Sequence, residues 1–106
     1  MARAGADQLE AHVGLTTAGT IGAAVAQTLD EAMARVLKIA AAGRRVRPDL
    51  LVICHGGPFD EPENVGAALK RMAGIQGFFG ASSIERLPTE RAIRGQIQAF
   101  KQLPLA

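Results

Sequence analysis

Residues 77–86 read Gly-Phe-Phe-Gly-Ala-Ser-Ser-Ile-Glu-Arg, a short apolar segment that opens into a glycine and serine loop before a helical pattern begins. The pattern predicts a strand over Ile75 to Phe79, a loop over Gly80 to Leu87 and a helix from about Pro88 to Leu103. Such a loop offers free backbone N–H groups and small hydroxyls at a helix start, where the helix dipole also favours negative charge. We therefore predict an anion-binding loop with donors at Gly80, Ala81, Ser82 and Ser83.

The preceding segment repeats this design. The pattern predicts a second apolar strand over Leu50 to His55 and a loop over Gly56 to Glu61 that opens with Gly56 and Gly57. Pro62 is well placed to start a helix that Gly74 stops. The two glycines are predicted to bind phosphate together with the later loop. Glycines at this position also serve simply to turn the chain into a helix, and this alternative stays open. Asp60 and Glu61 are expected to serve the N-terminus of the following helix.

A third unit lies nearer the beginning of the chain. The pattern predicts a strand over Gln8 to Val13, a glycine and threonine loop, and a helix from about Thr28 to Ala42 with a capping box formed by Thr28 and Glu31. Thr16 and Thr17 are candidates for a loop that covers a substrate, although their hydroxyls could also only stabilise the loop. One face of the helix is apolar, formed by Leu29, Met33, Val36 and Ala40.

Strand and helix alternate three times, which predicts an α/β fold of three parallel strand–helix units joined by right-handed crossovers. The last helix is expected to turn Ile93, Ile97 and Phe100 toward the core. Cys54, the single cysteine, lies within an apolar strand and is expected to serve core packing. We predict one partial domain over residues 1–106.

The composition of the chain bears on three questions: whether it binds nucleic acid, whether it contacts a membrane, and in which compartment it works. The formal net charge is only +2 and the four aromatic residues are all phenylalanine, so the sequence does not favour nucleic-acid binding. No apolar run approaches the length of a membrane span, and we expect no membrane partner. A single cysteine rules out an internal disulfide, and a reducing cytoplasm fits best.

Three ordered motifs resemble one known family. They are residues 11–17 (Ala-His-Val-Gly-Leu-Thr-Thr), residues 54–58 (Cys-His-Gly-Gly-Pro) and residues 77–90, and together they span nearly the whole chain. They are similar to the C-terminal part of the phosphoenolpyruvate hydrolase-like TIM-barrel family. The resemblance implies strands six, seven and eight of a (β/α)8 barrel, with strands one to five absent from this chain. A complete barrel needs about 250 residues, whereas this chain has 106.

The resemblance also implies a site at the common mouth of the strands, where a barrel gathers its functional residues. There His12, His55 and the pair Ser82 and Ser83 should converge around a small phosphorylated or phosphono keto acid. A histidine could accept a proton from water or protonate the leaving enolate, and Glu85 could act as a base or help to hold Mg²⁺. The chain has no metal-site spacing of its own, so the main ligands of any Mg²⁺ are expected outside it.

Each of these assignments has a structural alternative. Ser82 or Ser83 could simply cap a helix, and both histidines could be structural residues at the barrel rim. The parent protein is expected to be a hydrolase or lyase. This segment is expected to supply the phosphate-binding side of its active site. The alternative, from another class, is a non-catalytic module that binds a phosphate ligand or another protein. Three units leave two open sheet edges, so we expect the chain to form homo-oligomers or to be poorly stable alone.

Overall fold

The computed structural model describes residues 1–16, 19–20, 22 and 27–104. Its strands are β1 (Gln8–His12), β2 (Leu51–His55) and β3 (Gly77–Phe78), and its α-helices are α1 (Leu29–Arg44), α2 (Pro62–Arg71) and α3 (Arg86–Lys101). The strands form one parallel sheet in the order β1-β2-β3, so the predicted mixed α/β architecture is confirmed. A short 3-10 helix (Ala2–Ala4) precedes β1.

The two faces of the sheet differ in chemistry. Val52 and Cys54 of β2 face α1 and α2, where burial raises the pKa of the Cys54 thiol, as expected for a packing role. The alternate residues of each strand lie on the opposite face, which no helix covers in the described parts of the chain. The buried core lies entirely on the helix side and consists of Ala11, Val13, Ala32, Met33, Val36, Ala40, Leu50, Val52, Cys54, Phe59, Ala68, Met72 and Ile75.

Helix α1 begins where the sequence predicts. Thr28 Oγ1 accepts a hydrogen bond from the Glu31 amide (3.2 Å), and Glu31 Oε2 accepts one from the Thr28 amide (2.8 Å). This reciprocal pair is the predicted capping box. Met33, Val36 and Ala40 are buried as expected, and the helix continues one residue beyond Gly43 before it ends.

Strand β3 is shorter than the predicted segment from Ile75 to Phe79. Its ladder hydrogen bonds nevertheless continue on both sides, because Gln76 N–H donates to Val52 O (2.8 Å) and Phe79 N–H donates to Cys54 O (3.0 Å). The following helix starts at Arg86, so that Pro88 lies within its first turn, where the missing N–H costs no helical hydrogen bond.

The prediction that Ile93, Ile97 and Phe100 face the core is wrong. These side chains are 58%, 54% and 64% exposed, and Leu87 is the buried residue of α3. A helix of this length extends about 24 Å, well beyond the reach of strands of two to five residues. Only the first turns of α3 meet the rest of the described chain, and the molecule accordingly measures 70 × 24 × 24 Å.

Arg44 and Arg47 connect the segments at the amino-terminal edge of the sheet through hydrogen bonds and an ion pair. Arg44 donates to the backbone oxygens of Leu50 and Gly74, and thereby ties the end of α1 to the starts of β2 and β3. Arg47 donates to Ala6 O (2.8 Å) and pairs with Asp7 (2.7 Å), just before β1. The loops that follow the three strands lie at the opposite, carboxyl edge.

Candidate functional site

Two predicted site residues are side by side at the carboxyl edge. Parallel register places His12 of β1 directly opposite His55 of β2, and their rings stack with centroids 4.9 Å apart. Phe79 covers the other side of His55, with a centroid distance of 5.0 Å. The sheet therefore builds a three-ring stack on its uncovered face, in which His55 occupies the centre.

The two imidazoles have different hydrogen-bonding surroundings. Nδ1 of His12 accepts a hydrogen bond from the Gly14 amide at 3.4 Å. Nδ1 of His55 lies 3.5 Å from Oε1 of Glu10, close enough for an ion pair, although no contact of this nitrogen in the described chain has hydrogen-bond geometry. Glu10 is two residues before His12 in β1 and shares its face.

The Gly56–Gly57 turn packs tightly against the loop that follows β1. Both glycines have left-handed backbone angles (φ 79° and 57°), and the Gly57 amide donates to Gly14 O at 2.8 Å. That amide is therefore occupied in this conformation and not available to a phosphate. The geometry agrees with the turn alternative for Gly57 and fixes the loops after β1 and β2 against each other.

The loop after β3 has the opposite character. Ala81 O and Ser82 O accept hydrogen bonds from residues 84–87, so the segment forms helical turns that lead into α3. The amides at the beginning of such a segment have no helical acceptor. In the described ranges, the amides of Gly80, Ala81, Ser82 and Ser83 have no hydrogen-bond partner. Gly80 also permits a close approach by Ser83, whose Oγ would lie 2.7 Å from a β-carbon at position 80.

The remaining predicted residues are less closely tied to this edge. Glu85 is exposed at the start of α3, and its carbonyl accepts a hydrogen bond from Thr89 (2.7 Å). Thr16 is half-buried in the loop after β1, and Thr17 lies outside the described residues. Farther along this loop, Thr20 donates from its amide and its hydroxyl to Glu90 of α3, each at 3.2 Å.

Asp60 and Glu61 lie at the N-terminus of α2, as expected, although neither of these side chains caps the helix through a hydrogen bond. Glu61 is the N-cap residue, but its carboxylate pairs with Arg91 of α3, which lowers the pKa of Glu61. Asp60 is buried and accepts a hydrogen bond from Asn64 (3.1 Å). The Glu61 carboxylate pairs with Arg91 rather than with the backbone amides of α2, because Arg91 carries a full positive charge and each amide only a partial one.

A cavity of about 350 Å³ lies between α2 and β3. Phe78, which packs on the helix-covered core, forms part of its wall, and Asp60 and Glu61 contribute carboxylates. Ser83 and Ile84 also line it, so the cavity borders the loop after β3, but its acidic wall is unfavourable for a phosphate. We therefore place the candidate site on the uncovered face and the loop at 80–83.

The described residues contain no group of three or more histidine, cysteine, aspartate or glutamate side chains that could hold a metal ion. They therefore do not fit a complete Mg²⁺ site. Over the same ranges, no helix is long and apolar enough to cross a bilayer.

Sequence reasoning missed Glu10 and Phe79 as members of this cluster. Both stand in strands whose identity was predicted, but their proximity to His55 depends on the pairing of segments far apart in the chain. The aligned register of residues 8–12 with residues 51–55 is the signal that brings Glu10 near His55. The sequence alone does not contain that register.

The chain is similar in sequence to proteins from a plant and from a bacterium. The chain is 50% identical over 105 residues to the ToMV susceptible protein tm-1(GCR26) and to the ToMV resistance protein Tm-1(GCR237), both from Solanum lycopersicum. It is 28% identical over 102 residues to the putative transcriptional regulatory protein y4pA of Sinorhizobium fredii. These matches cover 99% and 96% of this chain, but only 14% of each tomato protein and 17% of the bacterial one.

The family comparison covers almost the full chain. The model of the phosphoenolpyruvate hydrolase-like family matches residues 1–103, which include all three sequence motifs and all three strands. The chain belongs to the phosphoenolpyruvate hydrolase-like family.

Proposed function

We propose that this chain forms strands six, seven and eight of a TIM barrel and contributes the phosphate-binding side of an active site. The substrate class is a small phosphorylated or phosphono keto acid, and the parent activity is that of a hydrolase or lyase. The family membership and the three parallel strands in chain order support this proposal. The uncovered face that carries His12 and His55 would then be the interior of the barrel, where such enzymes place functional groups.

The observation that carries the proposal is the placement of stacked histidines and unpaired amides after neighbouring parallel strands. His12 and His55 end β1 and β2, and the loop at 80–83 follows β3. The carboxyl ends of parallel strands meet at one edge of a sheet, which is where open α/β sheets and barrels bind ligands. Proton-transfer groups and anion donors are thereby available at the same edge.

In this proposal, the amides of residues 80–83 and the hydroxyls of Ser82 and Ser83 hold the phosphoryl oxygens. For an enol phosphate, water attacks phosphorus while the bond from phosphorus to the enol oxygen breaks. One neutral histidine accepts the proton of the attacking water and becomes an imidazolium, and a second histidine, which enters the step as an imidazolium, protonates the leaving enolate and becomes neutral. Gly56 and Gly57 shape the neighbouring turn, and Glu85 and Thr16 remain candidates for contacts at the rim.

No step of this reaction is assigned to a metal ion on this chain. If the parent protein uses Mg²⁺, we propose that its main ligands come from segments outside these residues. Testing turnover both with and without Mg²⁺ addresses that point directly. We further propose a cytoplasmic location for the parent protein, consistent with the single buried thiol of this chain.

The test measures phosphate affinity by calorimetry and phosphate release from phosphoenolpyruvate and phosphonopyruvate. Ser82→Ala combined with Ser83→Ala is expected to weaken phosphate binding about ten-fold or more, because each lost charge-assisted donor is worth about 1.5–3 kcal/mol. Thr89→Ala is the matched control, since it removes a hydroxyl that donates to the carbonyl of Glu85, the N-cap residue of α3. Unchanged phosphate affinity in the double variant would contradict the role of the loop.

A second candidate function is a non-catalytic module that binds a phosphate ligand or another protein. The exposed stripe of Ile93, Ile97 and Phe100 on α3 favours it, because large exposed apolar patches often mark interaction surfaces. The names of the similar tomato proteins refer to ToMV susceptibility and ToMV resistance, and that of the bacterial protein to transcriptional regulation; none of these names refers to an enzyme activity. Phosphate binding without release of phosphate from either substrate would favour this function.

A further inference from the structure

Glu10 stands beside the central ring of the stack. Its Oε1 lies 3.5 Å from Nδ1 of His55, a nitrogen that is fully buried and makes no hydrogen bond within the described chain. The His55 side chain as a whole is 15% exposed, whereas that of Glu10 is 40% exposed. The Glu10 carboxylate thus lies next to the buried Nδ1 edge of the His55 ring. The Nε2 edge of the same ring is left to other partners.

We infer that Glu10 is a positioning residue that holds neutral His55 in the tautomer with its proton on Nδ1. A buried ring nitrogen next to a carboxylate favours the protonated form of that nitrogen, since an unpaired acceptor facing a negative charge is unfavourable. Nε2 of His55 then carries the free lone pair. In the reaction proposed above, on which this inference rests, that lone pair accepts the proton of the attacking water.

His12 is held in the opposite arrangement. Its Nδ1 accepts the hydrogen bond from the Gly14 amide (3.4 Å), so in the neutral ring the proton lies on Nε2. One histidine of the stack therefore presents an acceptor at Nε2 and the other presents a donor. The segment from Glu10 to Gly14 sets both states, through the Glu10 carboxylate and the Gly14 amide.

The stack limits the alternatives open to His55. His12 lies on one side of its ring and Phe79 on the other, with interplanar angles of 23° in both cases. A ring confined between two others has little freedom to turn its buried edge away. Glu10 can therefore act on His55 through position and charge without touching a substrate.

Nuclear magnetic resonance of the chain labelled with ¹⁵N in histidine tests the inference without any substrate. Long-range proton–nitrogen correlations recorded at alkaline pH distinguish the two tautomers of a neutral imidazole ring. We expect His55 to show a protonated Nδ1 and His12 a protonated Nε2. A protonated Nε2 on His55 in the unchanged chain would overturn the assignment.

Variants of Glu10 separate positioning from general stability. In Glu10→Ala, we expect His55 to lose the signal of the tautomer protonated on Nδ1. Glu10→Gln should retain that signal, because the glutamine amide oxygen can still accept a hydrogen bond from Nδ1. Gln8→Ala, on the same face of β1, is the matched control and should change neither ring. Retention of the signature in Glu10→Ala would refute the inference, and if that variant does not fold, the unchanged chain and Glu10→Gln still decide.

Phosphate release distinguishes this inference from the proposed function. If the tautomers are as expected but neither substrate is hydrolysed, the positioning role of Glu10 stands and the proposed reaction fails. If hydrolysis occurs but the tautomer of His55 does not depend on Glu10, the proposed reaction stands and the positioning role of Glu10 fails.

Discussion

Gly56 occupies the most tightly packed backbone position at the candidate site. A β-carbon there would lie 2.1 Å from Gly14 O, and the backbone angle φ of 79° also disfavours any residue with a side chain. Both effects arise because the loops after β1 and β2 touch through their main chains. The loop contact therefore depends on the absence of a side chain at this position.

We predict that Gly56→Ala lowers the free energy of unfolding by about 2 kcal/mol or more, as is usual for a strained left-handed backbone with a steric clash. Urea unfolding measures this value. Gly66→Ala is the control, because Gly66 lies inside α2 with open space around its Cα, and alanine there should stabilise by about 0.5–1 kcal/mol. Equal effects of the two substitutions would contradict the described packing.

Glu90 joins the loop after β1 to α3. Arg86 lowers the pKa of this carboxyl below its ordinary value of 4.5, with help from the Thr20 amide. The folded state therefore favours the charged carboxylate. Its stabilising effect is present above the unfolded pKa and is lost as the pH falls through the lower folded pKa.

Glu90→Gln should therefore be less stable than the unchanged chain at neutral pH, and the difference should shrink as the pH falls below 4.5. Urea unfolding over a series of pH values gives the comparison. Glu85→Gln, which removes an exposed charge at the start of the same helix, serves as the control. Identical pH profiles for the two variants would show that the contact with Thr20 and Arg86 contributes nothing.

At the scale of single elements, α1 has the best defined start. Its capping box satisfies two backbone donors that the helix itself cannot use, and Thr28 lowers the pKa of Glu31 through hydrogen bonds. Thr28→Ala removes the hydroxyl acceptor and should lower the free energy of unfolding by about 1 kcal/mol. Denaturant unfolding tests this value, and Thr28→Ser, which keeps the hydroxyl, should remain close to the unchanged chain.

Local signals explain how far the elements could be predicted from the sequence. The capping box, Pro62 and the apolar runs act within a few residues, so the three strands and three helices were predicted nearly at their observed bounds. The pairing of Glu10 with His55 could not be predicted, because it depends on strand register across 45 residues of chain. The packing of α3 was mispredicted because an apolar stripe reveals amphipathicity but not what covers it.

The same limit applies to the candidate site. His12 and His55 were predicted to converge because they end neighbouring strands, and their rings do stack. The occupation of the Gly57 amide by Gly14 O is a tertiary contact that composition cannot indicate. Binding of phosphate by residues 80–83 stays a prediction.

The whole molecule is much longer than its residue count requires. Its radius of gyration is 17.7 Å, whereas a compact domain of this length has about 13 Å. Two features account for the exposed surface: α3 extends from the sheet with its apolar stripe uncovered, and β1 and β3 each have one unpaired edge in the described chain. Such surfaces favour association.

We predict that the isolated chain self-associates through the α3 stripe. Ile97→Glu should weaken association about ten-fold or more, since burial of one large aliphatic side chain is worth about 1.5–3 kcal/mol. Size-exclusion chromatography with light scattering over a range of concentrations measures the change. Gln98→Glu adds the same charge beside the stripe as a control, and a well-folded monomer at every concentration would contradict the prediction.

The sheet order β1-β2-β3 has a consequence for synthesis on the ribosome. Strands β2 and β3 each pair with a strand that is translated before them, so the first strand–helix–strand unit can assemble once residue 55 has left the exit tunnel. At that moment the loop at 80–83 has not yet emerged. We expect the two imidazoles to meet on the nascent chain first, and the loop at 80–83 to join a strand pair that has already formed.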